Sequence, residues 1–173
     1  ANADDGSCTY PDNGDYSLSF DGVNDEVNIG DIDLIESFTI IANIKPNYSL
    51  WGGGGSLTGD MIVGKGNSYM LWLHEVSGLC AEIFPNGATQ WEGLNSSYME
   101  QNDIIPYFPP NDDWTQISMD FDGDNLSVIV NDTVLHQISV SGLPNQNNQM
   151  TIMAMDVQAP QSKPTFLIQL LTF

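Results

Sequence analysis

Short runs of alternating apolar and polar residues, closed by Gly, Asn, Asp, Ser or Pro, constrain this chain more than any other feature. They are YSLSF (16–20), EVNI (26–29), FTIIANI (38–44), MIVG (61–64), YMLWL (69–73), CAEIF (80–84), WTQISMDF (114–121), NLSVIVN (125–131), TVLHQISV (133–140), MTIMAM (150–155) and TFLIQLL (165–171). A period of two turns one row of side chains inward and the other outward, as a half-buried strand requires. No segment holds a 3.6-residue apolar stripe over three turns. The pattern predicts an all-β sandwich or barrel over residues 16–173, with residues 1–15 (ANADDGSCTYPDNGD) as a linker or the remnant of a preceding module. The chain begins without Met, so an upstream leader or domain is expected to have been removed.

The stretch DFDGD (120–124) lies between two alternating runs and admits three chemistries. As a turn, Asp-Gly is the strongest short signal for a β-hairpin, because Gly123 accepts the positive φ of a tight reversal. As an EF-hand loop counted from Asp120, the required glycine falls at position four instead of six and the twelfth residue is Asn131, so calcium of that kind is excluded. As a catalytic pair, Asp120 and Asp122 would share one strand face roughly 7 Å apart, but the aligned Glu-x-Asp-x-x-Glu set of sugar-cleaving sandwiches is missing. The hairpin is therefore expected.

Charge narrows the partners. Twenty-three acidic residues face three basic ones (Lys45, Lys65 and Lys163, with no arginine), for a formal charge of −20 in 173 residues. Such a surface repels phosphate backbones and anionic headgroups, so neither nucleic acid nor membrane insertion is expected. The same excess suits a solvated, salt-tolerant exterior. Cys8 and Cys80 allow one disulfide and cannot build a four-ligand zinc site by themselves. The sequons at Asn47, Asn95 and Asn131 are of a kind that an Asn- and Ser-rich chain produces by chance.

Catalytic motifs are lacking. His74 and His136 lie in strand-like runs without a nucleophile elbow, and His74–Glu75 lacks the second histidine of a metalloprotease motif. The four glycines Gly52–Gly55 are followed by no Gly-Lys-Ser/Thr and form a loop, not a phosphate cradle. Recognition is expected in the long gaps 47–60, 86–113 and 141–149. The candidates are the aromatics Trp51, Trp91, Tyr98, Tyr107 and Phe108, on which sugars could stack, with Asn95, Asn111 and Asp112 as polar partners. Trp72 and Trp114, inside strand patterns, are expected to be packing residues.

YSLSFDGVNDEVNIGD (16–31), FTIIANIKP (38–46), MIVGKGNSYMLWL (61–73) and DWTQISMDFDGDNLSVIVNDTVLHQISVSG (113–142) resemble, in order and spacing, the laminin-G-like domains of the concanavalin A-like lectin/glucanase superfamily. The resemblance covers residues 16–155 and implies a two-sheet antiparallel jelly-roll sandwich. It also implies a structural Ca2+ held by Asp21, Asn24, Asp25 and Glu26 beside an acid of the last strand, where this chain offers only Gln169. NADDGSCTYP (2–11) is similar to the end of short cysteine-containing repeats in surface proteins of marine bacteria and their viruses, which leaves Cys8 free, paired with Cys80, or linked to another chain. Together the resemblances imply a non-catalytic extracellular, cell-surface or virion-surface module that binds a glycan or a surface protein. The alternative is a structural subunit of a filament or virion that assembles with copies of itself.

Overall fold

The computed structural model describes residues 18–19, 26–34, 36–46, 59–146, 150–153 and 165–168. They form two six-stranded sheets. The first runs β1 (Leu18–Ser19), β12 (Thr165–Ile168), β3 (Phe38–Lys45), β8 (Thr115–Phe121), β9 (Asn125–Val130) and β10 (Thr133–Ser139). The second runs β2 (Glu26–Gly30), β11 (Met150–Met153), β4 (Gly59–Lys65), β5 (Tyr69–His74), β6 (Gly78–Ile83) and β7 (Glu92–Leu94). Neighbouring strands pair antiparallel, and the whole is the expected all-β jelly-roll sandwich. Among the described residues no helix is long and apolar enough to cross a membrane.

The alternation in the sequence becomes the core. In β3, Phe38, Ile40, Ala42 and Ile44 are buried while the residues between them are half-buried. Opposite them, Ile117, Met119 and Phe121 of β8 and Leu126, Val128 and Val130 of β9 turn to the same side. The second sheet answers with Tyr69, Leu71 and Leu73 of β5 and Leu79, Ala81 and Ile83 of β6. The ring of Phe38 joins the layers, with centroids 5.4 Å from Tyr69 and 5.5 Å from Phe121.

The β8–β9 connection is the hairpin expected from Asp-Gly. Gly123 sits at φ +105°, and the Asp122 carboxylate accepts from the backbone N–H groups of Asp124 (2.9 Å) and Asn125 (2.7 Å). Those hydrogen bonds hold the Asp122 carboxyl below the usual aspartate value. Asp120 takes no part in the turn; it accepts from the Thr39 hydroxyl on β3.

Two elements depart from expectation. The segment 86–113 was expected to be loop, yet it contains β7 and a helix, α1 (Ser96–Gln101). Both are too short for a periodic signal, and the helix depends on Asn95, whose Oδ1 accepts from Tyr98 N–H at 3.2 Å as its N-cap. Trp114 is not core: 49% of its surface is exposed, because Thr115 takes the inward position opposite Ile44.

One charge lies under the sandwich rim. The Lys65 side chain is fully buried, its ammonium 2.6 Å from Asp31 and in contact with Asp33, whose side chains stay about half exposed. The carbonyls of Ile32 (3.5 Å) and Gln146 (3.4 Å) complete the shell. Burial alone would lower the Lys65 pKa, but hydrogen bonds to Asp31 and Asp33, and their charges, outweigh it and raise it above the ordinary lysine value. The cluster ties the segment after β2 to β4 and to the strand-like bridge at Pro144, where Gln146 Nε2 donates to Leu34 O at 3.1 Å.

The asymmetry of burial gives a test. Replacing both acids (Asp31→Asn with Asp33→Asn) strands a buried ammonium and should cost on the order of 3 kcal/mol in urea denaturation. Lys65→Met leaves two carboxylates that water can reach, and should cost about 1 kcal/mol. A larger loss for Lys65→Met would show that the buried partner is not the one that sets the energy.

Candidate functional site

In β5 and β6 the residues between the core positions face away from the opposing sheet. Antiparallel register places Trp72 opposite Cys80 and Met70 opposite Glu82, with His74 opposite Gly78. On β4, Met61 pairs with Trp72, and its Sδ would lie 2.5 Å from a Cβ at Gly64, so the thioether lies across that glycine. A bulge between Met61 and Val63 lets both Ile62 and Val63 join the core and keeps Met61 outward. At the other border the rings of Phe84 and Trp91 meet edge to face at 5.4 Å. The result is an outer sheet face of aromatic and thioether side chains, most of them half-buried.

Glu82 lies within that face. Only 5% of it is exposed. Gly93 makes its position possible, since a Cβ there would stand 2.8 Å from Glu82 Cγ and 2.3 Å from Ala81 O. Asn95 Nδ2 donates to Glu82 Oε1 at 2.7 Å while Asn95 Oδ1 caps α1, so one amide fastens the helix to the carboxyl. Burial raises the Glu82 pKa above the ordinary glutamate value; the Asn95 hydrogen bond, the Trp72 indole and His74 pull it back only in part. Trp72 Nε1 is near enough to influence that carboxyl, yet it is buried and makes no hydrogen bond of good geometry.

His74 borders the face with its ring 5.4 Å from Trp72. Its Nδ1 accepts from the backbone N–H of Ser77 at 3.1 Å, which places the proton of the neutral ring on Nε2. Cys80 is fully buried with a free thiol that donates to Gly78 O. Burial first, and the Glu82 charge second, push this thiol up to about 12. Nothing here resembles a nucleophile with its base: the thiol has a carboxyl neighbour, which opposes ionisation.

The structure divides the residues singled out from the sequence. Trp91 and Asn95 border the face. Tyr98 and Tyr107 are half-buried against the inter-sheet core, where Tyr107 O accepts from Leu79 N–H at 2.8 Å. Phe108, Asn111 and Asp112 lie elsewhere, on an exposed loop whose Asp112 N–H donates to Pro46 O at 2.9 Å. Trp51, Asp21, Asn24, Asp25 and Cys8 fall outside the described residues, and Glu26 is described only in its backbone. Among the described residues no group of three or more His, Cys, Asp or Glu could hold a metal ion. Sequence reasoning missed Trp72, Met70, Phe84 and Glu82. The signal for Met70 and Trp72 was the run YMLWLH itself, which is apolar at both parities and so implies a strand with two covered faces. Glu82 and Phe84 lie in the following run CAEIF, where one acid interrupts apolar residues of both parities.

No family model matches the sequence, and no curated protein matches it. Solved structures share the fold. The botulinum neurotoxin serotype D binding domain is 12% identical with a TM-score of 0.60, over 88% of this chain and 38% of its own. Domain 4 of AbnA, a GH43 extracellular arabinanase from Geobacillus stearothermophilus in complex with arabinotriose, is 12% identical with a TM-score of 0.50, over 91% and 78%. The Ruminococcus gnavus IT-sialidase CBM40 bound to sialyllactose is 11% identical with a TM-score of 0.50, over 89% and 92%. This chain thus spans less than two fifths of the length of the toxin domain it matches. At these identities the likeness is one of fold.

Two measurements examine the site directly. A carboxyl whose folded pKa is raised contributes its full stability below the unfolded value and loses it as pH rises through the folded value. Glu82→Gln should therefore match the parent in urea midpoint near about pH 4 and gain on it toward about pH 8; a gap that does not change with pH would mean that Glu82 is not desolvated. Cys80, separately, should react with an aromatic disulfide reagent only at the rate of local opening, and at once in urea. Rapid labelling at Cys80 of the native protein would contradict its burial.

Proposed function

We propose that this chain is a non-catalytic binding module that recognises carbohydrate on the outer face of β4–β7. The carrying observation is that face: Trp72 and Trp91 with Met70 and Phe84 beside a nearly buried carboxyl and an anchored amide. Aromatic planes suit the apolar faces of sugar rings, and a few fixed polar groups suit their hydroxyls. The domains bound to arabinotriose and sialyllactose support the reading by using the same sandwich for oligosaccharides. The botulinum neurotoxin serotype D structure is likewise a binding domain on this fold.

The order of sequence blocks supports a laminin-G-like module, and the DDGSC stretch supports an extracellular setting. A structural Ca2+ at Asp21, Asn24, Asp25 and Glu26 is part of the proposal and serves the fold, not the chemistry of the face. Catalysis is not part of it: Asp120 is engaged with Thr39, Asp122 with its turn, and Glu82 with Asn95.

A glycan array followed by calorimetry tests this. Trp72→Ala and Trp91→Ala should each weaken the retained glycan by about 2 kcal/mol, roughly thirtyfold, with melting temperature used to separate binding from folding. Light scattering on the same sample distinguishes the alternative: a stable oligomer that retains no glycan and ignores both substitutions would make the chain a structural subunit instead.

A further inference from the structure

The carbohydrate reading leaves the charge of the ligand open, and the groups on the face decide it. Glu82 is nearly buried and accepts a side-chain hydrogen bond from the neutral amide of Asn95. Among the described residues no lysine is placed to compensate it. Lys65 projects from the core side of β4 and is committed to Asp31 and Asp33. Lys45 lies on β3 in the other sheet, Lys163 lies outside the described residues, and the sequence contains no arginine. Of the titratable groups that act on Glu82 or feel it, Cys80 is a buried thiol, and His74, whose Nδ1 is occupied as an acceptor, is the one able to carry positive charge.

A buried carboxylate whose direct side-chain hydrogen bond comes from a neutral amide is poorly solvated, and an ammonium brought by a ligand would supply a full counter-charge. Beyond contact range, a formal charge of −20 concentrates cations at the surface and depletes anions. An acidic sugar would need a guanidinium or ammonium partner, and the face provides none.

We infer that the face selects a carbohydrate bearing a free amine, with Glu82 as the specificity-determining residue, over the N-acetylated and acidic counterparts of the same sugar. The inference rests on the carbohydrate reading above and adds the class of sugar.

The experiment is calorimetry on the whole chain with short oligomers of glucosamine, N-acetylglucosamine and galacturonate of equal length. It is run on the parent, on Glu82→Gln, which keeps an acceptor for Asn95, and on Trp72→Ala, each checked for an unchanged fold by thermal melting. The amine oligomer should bind at least about tenfold more tightly than the acetylated one, the acidic one should not bind, and Glu82→Gln should bring the first two to parity. An amine preference that survives in Glu82→Gln would reduce the effect to general surface charge and overturn the inference. Equal or tighter binding of the acetylated or acidic oligomer would overturn it while leaving the carbohydrate reading intact. If these three fail but another glycan is retained on an array, the inference alone falls; if no glycan of any kind is retained, both fall.

Discussion

The register of β5 against β6 is the constraint on which the rest of the molecule depends. It sets Leu71 opposite Ala81 and Leu73 opposite Leu79 on the core side, and Trp72 opposite Cys80 and Met70 opposite Glu82 on the other. A slip of one residue would exchange the two sets, drive a carboxyl between the sheets, and bring leucines to the outer face. The register is held from both ends. Lys65, paired with Tyr69, is fixed by Asp31 and Asp33 at one end, and the His74 ring is locked to the Ser77 turn at the other. Glu92 adds closure along the edge by accepting from Ser141 N–H and Oγ at 2.6 Å each, which joins β7 to the chain leaving β10.

This dependence explains how far the sequence could be read. Alternation located the strands to within a few residues, because in β3, β8 and β9 one parity is apolar and the other is not; burial follows that period strictly in β3, while β8 and β9 also bury the small Ser118 and Ser127 of the polar parity. It could not say which parity of YMLWLH faces the core, since Met70, Trp72 and His74 would pack there as readily as Tyr69, Leu71 and Leu73. The choice belongs to partners distant in sequence, Phe38 and Phe121 among them. Trp114 shows the converse. Inside an apparent strand it looked like packing, but strand pairing begins one residue later and leaves it outside. For α1 and β7 the determinant was a single bifunctional amide, Asn95, which no window average registers.

The candidate site was legible only as a composition of loops. Aromatics in long gaps were a reasonable place to look, and the gap 86–113 does contribute Trp91 and Asn95. Yet Tyr98 and Tyr107 pack half-buried against the core, and Phe108 to Asp112 went to a different part of the sandwich. What gathers the face is sheet geometry. Strands 4.8 Å apart or so bring side chains from β4, β5, β6 and β7 into one patch although they are tens of residues apart in the chain. Glycines at 64 and 93 permit it, because neighbouring side chains fold across them instead of standing upright.

The two buried charges complete the logic. Lys65 and Glu82 are both withdrawn from water in the same sheet, on opposite sides of it. Lys65 is answered by two carboxylates and two carbonyls, the full complement a desolvated ammonium requires, and its pKa is raised accordingly. Glu82 is answered by neutral donors, and its pKa is raised for the opposite reason, that its charged form is poorly solvated. A single change to glutamine would remove such a cost, whereas the described core around Lys65 is otherwise lined by apolar side chains. An acid kept on an outer, aromatic-lined face, fastened by its own amide and accommodated by its own glycine, is where a binding surface would place its one polar determinant.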